Sequence, residues 1–490
     1  MSSVFPIVPR PFGRVLKPLL APRVARPGDP VDLSQSQMQD FTQGSIPRHI
    51  VRMAVPVFAG IIFQTLYYLV DLYFVARLGG DSVAGVSAAG NLQFIIMALT
   101  QVLSVGTMVL ISHASGRKDR EDANRIFHQS ILLAGVCMLC TLVAGYTLGD
   151  LYTNTLAANA ATALAARQYM IWFLPALAGQ FALVTMGSAL RGTGVAKPTM
   201  IVQVLSVVIN AILAPILIAG WGTGHPLGVM GAGLASTIAV LAAVVMMLVY
   251  FLRLEHFVMF DRTQLAPHFD TWKRILKVGL PAGGEFALMF VYMGVIFVII
   301  RDVGASAQAG FGIGGRVMQS LFIPAMAVAF AAAPIAGQNV GAGAFDRARH
   351  TFVVGVLMET AVMITLTIIA QLEGDSLIRI FTQEPAVVAV GAGFLSVLSF
   401  NFVAQGIIFT ASGMFQALGN TMPAMLSSAT RLVTFSVPAW WIHNQPWFEL
   451  RHIWYLSVAT VTLQAVVSVS LLSRAWNRRR AQMVPATTVR

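Results

Sequence analysis

Three carboxylates stand where apolar sequence surrounds them: Asp71, Glu285 and Glu359. Of the 20 Asp and Glu residues, only these lie well inside stretches long enough to cross a bilayer. A charge in that setting costs about 3 kcal/mol or more, so an acidic group there needs a functional reason. Burial favours the neutral carboxyl and a bound cation favours the carboxylate, so such a group can exchange a proton for another cation. Asp71 is the strongest candidate. On a helix, Gln64, Tyr67 or Tyr68 and Asp71 share one face and form a polar stripe. The stripe follows Pro56, whose missing N–H permits a bend. Glu285 lies one turn after Pro281 with Met289 and Tyr292 on its face, a thioether and a ring suited to adaptable apolar binding. Glu359 is weaker, because snorkelling or helix packing accounts for it equally well.

Other polar groups in apolar stretches are Arg316, Arg431, Asn210, Gln180 and Gln405. The two arginines are expected to pair with carboxylates or backbone carbonyls, and the amides can hydrogen-bond between helices. The candidate lining of a substrate cavity is Gln64, Tyr68, Met289, Tyr292, Gln180, Gln405 and Arg316. No G-x-x-x-x-G-K-[ST] occurs; the nearest piece, Gly192 to Pro198, lacks the glycine before Lys197. Gly310 to Gly315 fits G-x-G-x-x-G, but no strand precedes it, and small residues there suit close helix packing. Cys137 and Cys140 read as small apolar helix residues. No metal-ligand cluster and no G-x-S-x-G stands out, so an enzyme is not expected. Nor is any cofactor beyond a coupling ion, H+ or Na+, whose gradient replaces ATP as the drive.

These residues need elements to position them. The 490 residues are 57% hydrophobic and 11% charged, against about 25% charged in soluble domains. Mean hydropathy is +0.74. Apolar stretches of about 20 residues mark membrane helices, and the alternating pattern of a β-barrel is absent. The expected fold is all-α and polytopic, with twelve spans near 50–76, 85–112, 126–149, 163–187, 198–220, 229–252, 275–300, 310–337, 350–371, 386–411, 424–443 and 452–473. With both termini cytoplasmic, 25 of the 32 Lys and Arg fall on the cytoplasmic side and four on the other. That placement accounts for the net charge of +12 without nucleic acid.

A shift of 225 residues superimposes the halves without a gap from about 56 to 200. Pro56 meets Pro281, Gly116 meets Gly341, Gln180 meets Gln405 and Pro198 meets Pro423. Each half holds six spans, so both insert the same way up, with a pseudo-twofold along the membrane normal. Transporters of this design hold substrate between the lobes near the midplane. The expected organisation is a disordered cytoplasmic tail over 1–48, an N-lobe over 49–255, a linker over 256–274, a C-lobe over 275–474 and a basic tail over 475–490. A start at Met38 is an alternative.

The segment "VPVFAGIIFQTLYYLVDLYFVARLGG" resembles the first-helix signature of multidrug and toxic compound extrusion (MATE) transporters. "GLPAGGEFALMF", "APIAGQNVGAG", "ALRGTGVAKPTM" and "FQALGNTMPAM" are similar to further motifs of that family, and the resemblance covers roughly residues 45–475. It implies two six-helix lobes in a bacterial inner membrane, a monomeric state, and export of cationic or amphipathic organic compounds against proton or sodium entry. The family's first-helix Asp maps onto Asp71, a Tyr one turn earlier onto Tyr67 and a fifth-helix Asn onto Asn210; with Glu285 these are the candidate cation-coupling residues. The nearest branch is that of DNA-damage-inducible protein F, but Ala214 replaces the Asp that follows its Asn. Met289 stands where the sodium-type branch has its Glu. A lipid-linked precursor flippase of the same superfamily is the alternative, and it expects a cavity lined by several cations.

Overall fold

The computed structural model describes residues 38–156, 159–253, 257–259, 264 and 266–481. Fourteen helices are described: α1 Ile46–Ala76, α2 Gly80–Gly90, α3 Leu92–Gly116, α4 Arg120–Leu156, α5 Ala160–Gly192, α6 Lys197–Ala219, α7 Val229–Arg253, α8 Phe269–Arg301, α9 Ala305–Gly341, α10 Phe345–Arg379, α11 Pro385–Leu398, α12 Asn401–Ala417, α13 Met422–His443 and α14 Leu450–Ala481. Ten helical runs are long and apolar enough to span, with α2 and α3 counted as one. The pair α11–α12, bent by 58° at residues 399–400, forms another. The remaining crossing is α13, whose 22 residues reach across a bilayer at 1.5 Å each but include Arg431. The twelve-span, two-lobe architecture therefore holds. Some boundaries differ from expectation: the linker is helical from Phe269, and α14 runs through Ala481 into the expected basic tail.

The internal repeat extends to the turns. Gly79 and Gly304 have φ of 106° and 123°, and Gly194 and Gly419 have 86° and 71°. Each pair is 225 residues apart and sits where glycine's lack of a Cβ permits a left-handed turn. The third such pair is Lys118, at φ 59°, with Gly343 at 75°. Packing repeats as well: α1 lies on α6 and α5 on α7 in the N-lobe, as α8 lies on α13 and α12 on α14 in the C-lobe.

Small residues bring the lobes together. A Cβ on Gly279 would meet the Val102 carbonyl, one on Gly116 the Gln338 carbonyl, and one on Gly341 the backbone of His113. The Phe94 and Phe290 rings, 4.9 Å apart, add an aromatic contact between α3 and α8.

Residues 38–48, expected in a disordered tail, are instead ordered. Phe41 is fully buried. Its N–H donates to Gln338 Oε1 at 3.1 Å, and its carbonyl accepts from Asn339 Nδ2 and Arg347 Nε. Gln39 N–H donates to the Thr193 carbonyl at 3.1 Å, and Asp40 faces Lys118 at 3.8 Å. The segment thus laces N-lobe loops to α9 and α10 at the basic face, because its backbone groups need partners that both lobes supply. Burial pushes the Asp40 carboxyl up, but hydrogen bonds from Thr42 and the charges of Lys118 and Arg347 hold it below its ordinary value of 3.8. A depressed folded value stabilises the latch above pH 3.8, with loss only as the pH falls further.

Spin labels on Arg125 and Arg349, exposed on the two lobes at this face, should therefore report one distance distribution, unchanged between about pH 8 and about pH 5. Phe41→Ala should shift the distribution to longer separations; an unchanged distribution would show that the latch does not hold the lobes.

Candidate functional site

Asp71 lies near the end of α1 away from the basic face, where α6 and α7 pack on it. It is 8% exposed. Ser236 Oγ, from α7, donates to Asp71 Oδ2 at 3.2 Å. The other carboxylate oxygen, Oδ1, has no hydrogen-bond partner among the described residues. Tyr67 and Asn210 stand within electrostatic or hydrogen-bonding reach of this group. The Tyr67 hydroxyl and both amide atoms of Asn210 are buried and make no hydrogen bond among the described residues. Unpaired buried polar groups each cost about 1–3 kcal/mol, so a cluster of them around one carboxylate marks a candidate site. The chemistry it offers is oxygen-rich and anionic, suited to a proton or another cation. Ser236 was not among the residues singled out from sequence; one serine among the small residues of α7 carries no signal of its own.

Glu285 is not part of this cluster. It lies in the C-lobe on α8, half-buried, and accepts from Ser412 Oγ on α12 at 2.8 Å. Glu359 is the most deeply buried of the three carboxylates, at 1% exposure. Thr410 donates to its Oε2, and its Oε1 has no partner. Thr185, the N-lobe counterpart of Thr410, has Ala134 where Glu359 would be, and its hydroxyl is buried without a partner.

The remaining candidates separate. Gln64, Met289 and Arg316 are exposed, and Gln180 is half-buried on α5. The Tyr68 side chain lies outside the described residues. Tyr292 turns into the C-lobe, where it shares a hydrogen bond with Ser457 at 3.0 Å. Gln405 joins Tyr292 around Arg431. Neither the carboxylate nor the backbone carbonyl expected as the partner of Arg431 is found among the described residues; its neighbours are neutral side-chain amides and a ring.

A helical bundle of two repeated lobes, each holding polar groups among apolar helices, is an architecture of membrane transporters. The MatE family model matches residues 56–216 and again residues 281–442, more than half of the chain. The two matches begin 225 residues apart, in register with the repeat. The chain belongs to the MatE family and is an integral membrane transporter rather than an enzyme. It is 25% identical over 445 residues to the probable multidrug resistance protein YoeA of Bacillus subtilis, covering 89% of this chain and 94% of that one. It is 26% identical over 457 residues to the multidrug export protein MepA of Staphylococcus saprophyticus, covering 90% and 97%. A MATE protein solved in a bent conformation superposes with a TM-score of 0.85 at 22% identity, over 91% of this chain and 99% of that one.

Thr410→Val should leave Glu359 with no described donor and destabilise the protein by about 1–3 kcal/mol, read as a lowered unfolding temperature in detergent. A second change, Glu359→Leu, should recover most of that loss. Additive losses would mean the two side chains do not act as a pair.

Proposed function

We propose that the protein is an antiporter that exports cationic or amphipathic organic compounds from the bacterial cytoplasm, exchanging them for protons or sodium by alternating access. The observation that carries this reading is the Asp71 carboxylate, buried with one oxygen unpartnered beside Tyr67 and Asn210. A carboxylate in that state is stabilised by whichever cation reaches it, so two cations compete for it and cannot both be held. The lobes contribute the second requirement, access to one side at a time. They meet tightly on the face where Lys and Arg collect, which the positive-inside rule makes cytoplasmic. Rocking about the contacts between α3 and α8 and between α1 and α9 would open that face.

The names of the relatives, a multidrug resistance protein and a multidrug export protein, support a drug-like cargo. The chain acts in this reading as a monomer, with lipid as its only other partner. A flippase for lipid-linked precursors expects several cations along the lobe interface. Here Arg316 is exposed on α9, whereas Arg431 packs against C-lobe side chains.

Everted vesicles test the reading. Ethidium should accumulate when either a pH gradient or a sodium gradient is imposed, and the effective gradient names the coupling ion. Asp71→Asn should insert normally and lose at least about tenfold of the driven uptake, the scale of removing one charged contact. Undiminished uptake by that variant would remove Asp71 from the mechanism.

A further inference from the structure

The C-lobe holds a second polar centre, built on a cation. Arg431 comes from α13, and its guanidinium carbon lies 4.2 Å from the centroid of the Tyr292 ring on α8. Its Nη1 donates to Gln405 Oε1 on α12 at 3.2 Å and to Gln464 Oε1 on α14 at 3.5 Å. Gln464 is itself steadied by Ser428, with Nε2 donating to its Oγ at 3.1 Å. Asn401 Nδ2 donates to Ser457 Oγ at 3.4 Å, and the Asn401 carbonyl oxygen is buried without a partner.

Every group around Arg431 in this set is neutral, and no ion pair to it exists among the described residues. Arginine does not shed its proton in proteins, so the charge is permanent. Four helices of a lipid-embedded lobe surround that charge, and neutral dipoles compensate it only in part. The unused side of the guanidinium is informative. Nη1 is occupied, but Nε is buried with no partner, and no hydrogen bond is described for Nη2. The Nε–Nη2 edge presents two parallel N–H donors, the geometry that grips a carboxylate in bidentate fashion.

The repeat sharpens the contrast. Tyr292 is the counterpart of Tyr67 at the 225-residue offset, and Phe435, whose ring lies 4.7 Å from Tyr292, is the counterpart of Asn210. Asp71 has the apolar Ile296 as its counterpart, and Arg431 has Ser206. One tyrosine therefore attends an anion in the N-lobe and its repeat attends a cation in the C-lobe.

We propose that Arg431 receives an acidic group, a carboxylate or similar oxyanion, on the exported compound, so that the preferred cargo is an amphipathic zwitterion. This deepens the exporter reading and rests on it.

Rhodamine B, a zwitterion with a free carboxylate, and its ethyl ester, a simple cation, differ only at the group in question. Their uptake into everted vesicles should favour the acid. Arg431→Gln should lower the acid-to-ester ratio by about tenfold or more, the scale of losing a charged hydrogen-bonded contact. Fluorescence anisotropy with the purified protein reads the same ratio as binding, so a failure of driven transport would count against the exporter reading and leave the Arg431 test intact. If the Gln variant does not insert, Arg431→Lys carries the test, with a smaller fall because lysine lacks the two-donor edge. An unchanged ratio in a variant that inserts would overturn the proposal. So would equal dependence of acid and ester transport on chloride, which would make the occupant a free inorganic anion.

Discussion

Keeping a carboxylate out of water with one of its oxygens unpaired is the constraint on which the rest of this molecule depends. At Asp71 the protein withholds the hydrogen bonds that would settle the charge: Ser236 serves one oxygen, and the nearby Tyr67 and Asn210 serve none. Such a site is unstable when vacant and ionised, so it favours occupancy by a cation. That property yields exchange only if the occupant can leave toward one side of the membrane and its competitor arrive from the other. The two lobes, pressed together at the basic face through Gly116, Gly279 and Gly341 and laced there by Phe41, supply a barrier of that kind.

The two lobes share a scaffold and differ in what fills it. Turns and helix packing repeat at one offset, which reflects the steric demands of left-handed turns and close helix contacts. Polar side chains do not repeat. Where the N-lobe has Asp71 the C-lobe has Ile296, where it has Ser206 the C-lobe has Arg431, and where it has Ala134 the C-lobe has Glu359. Repetition of the frame with divergence of the charges gives two lobes alike in fold and different in polar chemistry.

Much of the frame was readable from the sequence because bilayer crossing imposes long apolar runs and the positive-inside rule constrains the loops. Helix spacing placed Tyr67 or Tyr68 on the face of Asp71, and the family resemblance chose Tyr67. Asn210 came from family resemblance, since one amide in an apolar helix has no particular partner. Ser236, Gln464 and Ser457 were not legible: which face of α7 or α14 turns inward depends on packing against several helices at once. The same reason hid the true neighbours of Arg431, expected to be carboxylates or backbone carbonyls and found to be side-chain amides and a ring. The breaks that separate α2 from α3 and α11 from α12 left no proline or long polar run to mark them. The order of residues 38–48 was hidden too, because it arises from Gln338, Asn339 and Arg347, about 300 residues away.

The central claim is that one carboxylate trades cations one for one. Its most direct test is a count of ions released when an organic cation binds. Purified protein in weakly buffered detergent, titrated with tetraphenylphosphonium, would be followed by proton and sodium electrodes together. This account predicts about one monovalent ion released per cation bound, and none from Asp71→Asn. Binding without release, or equal release from that variant, would contradict it.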